Sequence, residues 1–202
     1  MEIVLATRNK NKIKEMSALF SELPVTLLTL DRFPHLGEVV EDGKDCEENA
    51  LKKAIEVSKG SGKPALSDDS ALEIDALGGA PGVYSARYAG ENVTYADNRA
   101  KVLTLMKGVP AEKRTARFRT VLALAIPGKE PILAEGVTEG TIGTEEMGEE
   151  GFGYDPIFHL KGDGRSYSQM TAEEKNRVSH RAKAAEKMKK LLEKIVREGK
   201  KR

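Results

Sequence analysis

The opening of the chain constrains the fold more than any other segment. EIVLAT (Glu2–Thr7) is a short apolar run that stops abruptly at the polar loop TRNKNK. Beyond the loop, Ile13, Met16, Leu19, Phe20 and Leu23 recur at helical spacing until Pro24 ends the pattern. VTLLTL (Val25–Leu30) is a second apolar run. Strand, loop, helix, strand is a βαβ unit, and its crossover helix lets the two strands pair in parallel.

The remaining elements add antiparallel parts. CEENALKKAIEVSK (Cys46–Lys59) reads as a helix closed by GSGKP. PALSDDSALEIDALGGAPGVYSARYAG reads as a strand pair around Ser67, Asp68, Asp69 and Ser70, followed by a rigid turn and a loop. A helix is expected from Tyr95 to Met106. RTARFRTVLALAIP and PILAEGVTEGTIG are expected to form an antiparallel hairpin turned at PGKE. A last helix starts at Thr171, where Thr-Ala-Glu-Glu fits a capping box with Glu174. Its apolar stripe is Val178, Ala182, Ala185, Met188, Leu192 and Ile195. With no repeat, linker or domain cut in sight, the expectation is one mixed α/β domain spanning residues 1–202.

Composition bounds the function. Hydrophobic residues are 39% and charged residues 32%, which suits a soluble chain with a heavily charged surface. The longest apolar run, Val121–Ile126, is far short of the roughly 20 residues that a membrane span needs. The start of the chain lacks the pattern of a signal peptide, and Cys46 is the single cysteine, so a reducing cytoplasm is expected. The net charge of +1 hides a basic block: Lys175–Arg202 holds twelve Lys or Arg against three Glu. Such a block suits phosphate, nucleic acid or solvent. It lacks the interleaved aromatics of a single-strand platform, and most of it reads as a solvated helix face.

Three segments could carry chemistry. TRNKNK lies between the first strand and the first helix, where open α/β sheets bind ligands and a helix N-terminus favours phosphate. Thr7 and Asn9 offer hydrogen bonds there, and Arg8, Lys10 and Lys12 offer charge. The loop is not a Walker A motif, and GEEGFG (Gly148–Gly153) lacks the glycine spacing of a dinucleotide fingerprint. The acidic set is Glu41, Asp42, Glu48, Asp68 and Asp69. In an extended segment Asp68 and Asp69 face opposite sides and so do different jobs. One could ligate Mg²⁺ while the other holds a lysine or a loop; turn chemistry is the plainer alternative. In GFGYDPIF (Gly151–Phe158) the glycines admit close approach, Phe152 and Tyr154 could stack on a flat group, and Asp155 before Pro156 is expected to be extended. His180 and Arg181, among so many basic neighbours, read as part of a solvated face. No zinc spacing and no nucleophile elbow is present.

ATRNKNKIKE, ENALKKA, SDDSALEIDALGGAPGVYSARYAG, GFGYDPIF and SHRAKA together, in this order, resemble the inosine/xanthosine triphosphate pyrophosphatases, a family that clears non-standard purine nucleotides. The chain departs from that pattern at Arg8 and Ala71, where the family commonly has glycine. The resemblance implies two lobes on a long twisted mixed sheet flanked by helices, with the nucleotide in the cleft between. It implies Mg²⁺-dependent hydrolysis of ITP, dITP or XTP to monophosphate and pyrophosphate by a cytoplasmic homodimer, with neither membrane nor nucleic acid as partner. By the same resemblance Thr7, Arg8, Asn9, Lys10, Asn11, Lys12 and Lys53 hold the triphosphate, and Asp69 activates water with Glu41 beside it at the metal. Asp68 orients a basic side chain. Ser70 touches substrate, and Phe152, Gly153, Tyr154, Asp155, Lys175, His180 and Arg181 hold base and sugar. Two competing readings remain: a pyrophosphatase for pyrimidine triphosphates, and a nucleic-acid-binding protein using the basic C-terminal helix.

Overall fold

A computed structural model describes residues 1–199; the last three residues of the basic block, Lys200 to Arg202, lie outside the described residues. The strands are β1 (Glu2–Leu5), β2 (Thr26–Leu28), β3 (Ala65–Ile74), β4 (Pro81–Gly82), β5 (Thr115–Ala125), β6 (Ile132–Ile142) and β7 (Phe158–Leu160). The helices are α1 (Lys10–Leu19), α2 (Cys46–Ser61), α3 (Tyr95–Leu105), α4 (Ala172–Val178) and α5 (His180–Gly199). One mixed sheet runs β2-β1-β3-β5-β6-β7, with β4 paired to β3. The expected mixed α/β fold is therefore the observed one. β1 pairs in parallel with β2 and with β3, whereas β4 on β3 and β7 on β6 are antiparallel. β5 and β6 are neighbours joined through a turn in which Lys129 N–H donates to Ile126 O (3.0 Å).

By contact the chain divides into two compact units. The first contains Met1–Asp69, Thr120–Gly136 and the described part of Arg181–Arg202; the second contains Ser70–Arg119 and Val137–His180. In the first unit both faces of β1 are covered. Ile3 and Leu5 join a core with Met16 and Leu19 of α1, Phe20 at its C-cap, and Ala185, Met188 and Leu192 of α5. Val4 joins Val57 of α2, Leu28 and Ala65 on the other face. A strand buried on both faces reads as a continuous apolar run, which is why EIVLAT shows no alternation. The second unit has its own core, built from Leu72, Ile74, Val102, Met106, Phe118, Ile142, Ile157, Phe158, Tyr167 and Met170.

Three expectations need correction. The SDDS stretch is the middle of a single ten-residue strand, β3, and its partner β4 is only two residues long. The last helix is two helices. The Thr171–Glu174 capping box forms as expected, but Ser179 is extended (φ −71°, ψ 158°) and separates α4 from α5. Asp155 opens a 3-10 turn instead of lying extended, because its N–H closes a tight turn onto Phe152 O (3.2 Å).

Candidate active site

Alternation along β3 sorts its polar residues between two layers of the first unit. Leu66 packs in the core with α1 and α5, and Asp68, two positions on, faces the same elements. Ala65 packs beside α2; Ser67 donates to Ala50 O of that helix (2.6 Å), and Asp69 reaches Lys53 on it. The strand therefore hands adjacent carboxylates to different partners, as expected for extended backbone.

Asp68 is buried between two cations. Arg181 Nε donates to its Oδ2 at 2.8 Å, and Lys12 Nζ pairs with its Oδ1. Burial alone would raise its pKa, but the charges of Arg181 and Lys12 outweigh that and hold the carboxyl well below the usual carboxylate range. Arg181 in turn pairs through Nη1 with Glu15 of α1, so the chain of contacts runs Glu15–Arg181–Asp68–Lys12. Arg181, only 2% exposed, sits at the first turn of α5. The sequence reading of a solvated face is overturned there, and for His180 as well, which is equally buried.

Asp69 and Glu41 converge on one ammonium group. Lys53 Nζ lies 2.9 Å from Asp69 Oδ1 and 2.5 Å from Glu41 Oε1, and it also donates to Asp68 O at 2.8 Å. Lys12 Nζ approaches the same carbonyl at 3.3 Å. Burial pushes the Asp69 carboxyl up, against the pull of Lys53 and Lys12. Burial disfavours the charge on Lys53, but Asp69 and Glu41 outweigh it and keep the amine protonated. The outcome is one carboxylate locked in its charged form and a neighbour poised nearer to proton exchange. Two carboxylates that already share one cation also match the donor set of Mg²⁺, which commonly takes one or two carboxylates and fills its shell with water and substrate phosphate.

The TRNKNK loop is organised as a helix start. Asn9 caps α1 by accepting from the N–H groups of Asn11 (3.0 Å) and Lys12 (3.3 Å), and Thr7 Oγ1 accepts from Asn9 N–H (3.2 Å). Arg8 Nη2 donates to Leu36 O at 2.8 Å, while Lys10 and Asn11 are exposed. Of this loop, Lys12 reaches the buried Asp68 carboxylate.

The second unit gathers the other candidates around an aromatic cluster. Lys175 Nζ pairs with Asp155 Oδ2 at 2.6 Å, both side chains being buried. The same ammonium lies 4.9 Å from the Phe152 ring centre and 5.5 Å from that of Tyr167. Asp155 Oδ2 also accepts from Phe152 N–H at 2.8 Å, which folds the loop over the ion pair. Gly151 permits this: it has φ +78°, and a Cβ there would sit 2.2 Å from Asp155 Oδ2. His180 stacks on Phe118 with ring centres 4.5 Å apart and planes at 11°. Tyr154 is turned into the core, its hydroxyl donating to Ser85 O at 2.8 Å, with burial pushing its pKa up. Ser70, half-buried, begins this unit.

Sequence reasoning missed Glu15, Phe118 and Tyr167. Glu15 had a signal, since it stands one helical turn beyond Lys12 on the same face of α1. Phe118 and Tyr167 had none, being ordinary aromatic residues of a strand and a turn. Among the described residues no helix is long and apolar enough to cross a membrane.

Over 195 residues the chain is 47% identical to the dITP/XTP pyrophosphatase of Geobacillus kaustophilus, covering 96% of each. It is 50% identical over 182 residues to the enzyme of that name from Geobacter sulfurreducens, covering 90% of this chain and 92% of that one. A solved HAM1 protein from Coxiella burnetii superimposes with a TM-score of 0.88 at 40% identity, over 96% of this chain and 99% of that one. A dITP/XTP pyrophosphatase from Mycobacterium abscessus gives 0.77 at 41%, over 93% and 98%. Residues 3–191 match the Ham1 family profile, and the chain belongs to the Ham1 family.

Proposed function

We propose that this protein hydrolyses non-standard purine nucleoside triphosphates, dITP, XTP and ITP, to the monophosphate and pyrophosphate. The observation that carries the reading is the convergence of Asp69, Glu41, Lys53 and Lys12 at the middle of β3, beside a capped helix start. The names of relatives at 47% and 50% identity support the same substrates.

In this reading the first unit serves the triphosphate. Water attacks the α-phosphorus, the bond from that phosphorus to the α,β-bridging oxygen breaks, and the electron pair leaves with pyrophosphate. Asp69, its pKa raised by burial, accepts the proton of the attacking water. Lys12 and Lys53 face the charge that develops on the phosphate oxygens, and Asp68 keeps Lys12 in place. Thr7, Asn9 and the backbone at the start of α1 receive phosphate oxygens, with Arg8, Lys10 and Asn11 contributing around them. Mg²⁺, held by Glu41 and Asp69, would supply Lewis-acid neutralisation of the triphosphate and orientation of the water.

The second unit serves the base and sugar. Phe152 offers a ring face, Gly153 and Asp155 offer backbone groups, and Lys175 and His180 are the donors nearest the rings. A 6-keto base accepts from such donors, whereas an adenine amino group would leave them unpaired; rejection by about 10⁴-fold is within reach of such a site. Ser70 touches substrate where β3 enters this unit. Arg181, placed by the family resemblance at the base, acts through Asp68 and Glu15. The reading includes a homodimer at work in the cytoplasm, one two-lobed domain per chain.

Product analysis tests it. Pure protein with Mg²⁺ should convert ITP and XTP to monophosphate and pyrophosphate, and leave GTP, ATP and dTTP nearly untouched. Orthophosphate release, or equal turnover of all five, would reject the reaction or the base pocket respectively.

A further inference from the structure

Helix α3 makes contacts that the roles above leave unused. Arg99 Nη1 donates to Gly153 O at 2.9 Å, and its Nε donates to Glu146 Oε1 at 2.8 Å. One turn earlier on the same face stands Tyr95, whose ring centre is 6.1 Å from that of Phe152 with the planes at 51°. Tyr95 is 38% exposed, so its ring can enlarge the aromatic surface that Phe152 presents. Its place is set by the start of α3, where Thr94 and Asp97 form a complete capping box.

The Phe152–Gly153 loop is thus held at two points. Asp155 accepts from the Phe152 N–H, and Arg99 holds the Gly153 carbonyl. Gly153 is in the left-handed region (φ +64°), a conformation that glycine adopts freely and leaves freely. An external hydrogen bond to its carbonyl therefore restricts the one peptide of this loop that would otherwise turn most easily. Arg99 is itself mostly buried, with its partner Glu146 more open to solvent.

We propose that Tyr95 is a base-binding residue, a second ring beside Phe152 for the purine base, and that Arg99 is a positioning residue that fixes the Gly153 carbonyl so that the Phe152 and Tyr95 rings keep their places. This rests on the reading that the second unit receives the base. A ring face that stacks on a purine contributes to binding in ground and transition states alike, so its loss appears in KM and not in kcat.

The test is steady-state kinetics with XTP and dITP on Tyr95→Ala, Tyr95→Phe, Arg99→Gln, Arg99→Lys and Phe152→Ala, together with inhibition by pyrophosphate. Tyr95→Ala should raise KM about tenfold at unchanged kcat, with Tyr95→Phe restoring it. Arg99→Gln should raise KM in the same sense and Arg99→Lys should recover part of the loss. Inhibition by pyrophosphate, which has no base, should be the same in every variant. If Phe152→Ala raises KM while Tyr95→Ala and Arg99→Gln do not, the inference is overturned and the base reading stands. If Phe152→Ala also leaves KM unchanged, the base reading itself fails and takes the inference with it. A fall in kcat at constant KM, or weaker inhibition by pyrophosphate, would likewise overturn the role assigned to α3.

Discussion

The two units bury charge in opposite styles. In the first, Glu15, Arg181, Asp68 and Lys12 form one chain of ion pairs, and Glu41, Lys53 and Asp69 form another beside it. In the second, the buried pair Asp155–Lys175 lies under aromatic rings. Because Asp68 is held by Arg181 as well, Lys12 can turn to a phosphate without leaving that carboxylate alone, which suits a polyanion. One ion pair roofed by rings offers a flat, weakly polar surface with few donors, which suits a base. On the proposed reading, the difference teaches that the two ends of a nucleotide call for different burial physics, and that each unit supplies one.

The comparison can be broken hardest at Asp69. Asp69→Asn removes the proton acceptor of the first unit and leaves the second intact. Turnover of XTP should fall by about 10³-fold while inhibition by the nucleoside monophosphate is preserved. If turnover survives, Asp69 is not the base. The next largest effect falls on stability. Arg181→Met leaves the buried Asp68 carboxylate short of a partner and should cost about 3–5 kcal/mol in urea unfolding. A milder loss is expected from Glu15→Gln, since Arg181 would retain Asp68. Equal losses from the two changes would mean that Glu15 and Asp68 hold Arg181 equally.

The pH dependence separates the adjacent carboxylates. Asp69, raised by burial, must be ionised to accept a proton, so kcat/KM should drop on the acid side. Asp68 is depressed by Arg181 and Lys12. Its contribution to stability is therefore present above its unfolded pKa and is lost as pH falls below that value toward the folded one. Asp68→Asn should flatten the acid limb of the stability curve and leave the midpoint of the activity curve in place. The smallest effect sharpens the second unit: Lys175→Gln should raise KM for XTP about tenfold and change the inhibition by pyrophosphate little.

Much of this was legible in the chain. The βαβ opening, the capping box at Thr171 and the opposite facing of Asp68 and Asp69 all follow from local rules of period and hydrogen bonding, and the structure has each of them. Ordered motifs also placed Lys12, Lys53 and Asp155 among the candidate site residues. The errors differ in origin. His180 and Arg181 sit in a run of basic residues whose neighbours are solvated, and nothing within that run says that a carboxylate from β3 and another from α1 will meet this arginine. Asp155 was misread because a preference before proline yielded to a turn closed by its own carboxylate and N–H.

Much of the local order, then, was determined by the sequence alone: the βαβ opening, the capped helix starts, and two adjacent carboxylates facing apart on an extended segment. Those properties depend on neighbours a few residues away, and the chain states them directly. Which cation meets which anion was decided only by tertiary structure. Asp68 and Arg181 are 113 residues apart, and Glu15 and Arg181 are 166 apart, so their pairing depends on how β3, α1 and α5 pack around a shared apolar core. Partners at such separations leave no periodic trace, because packing and not spacing brings them within reach.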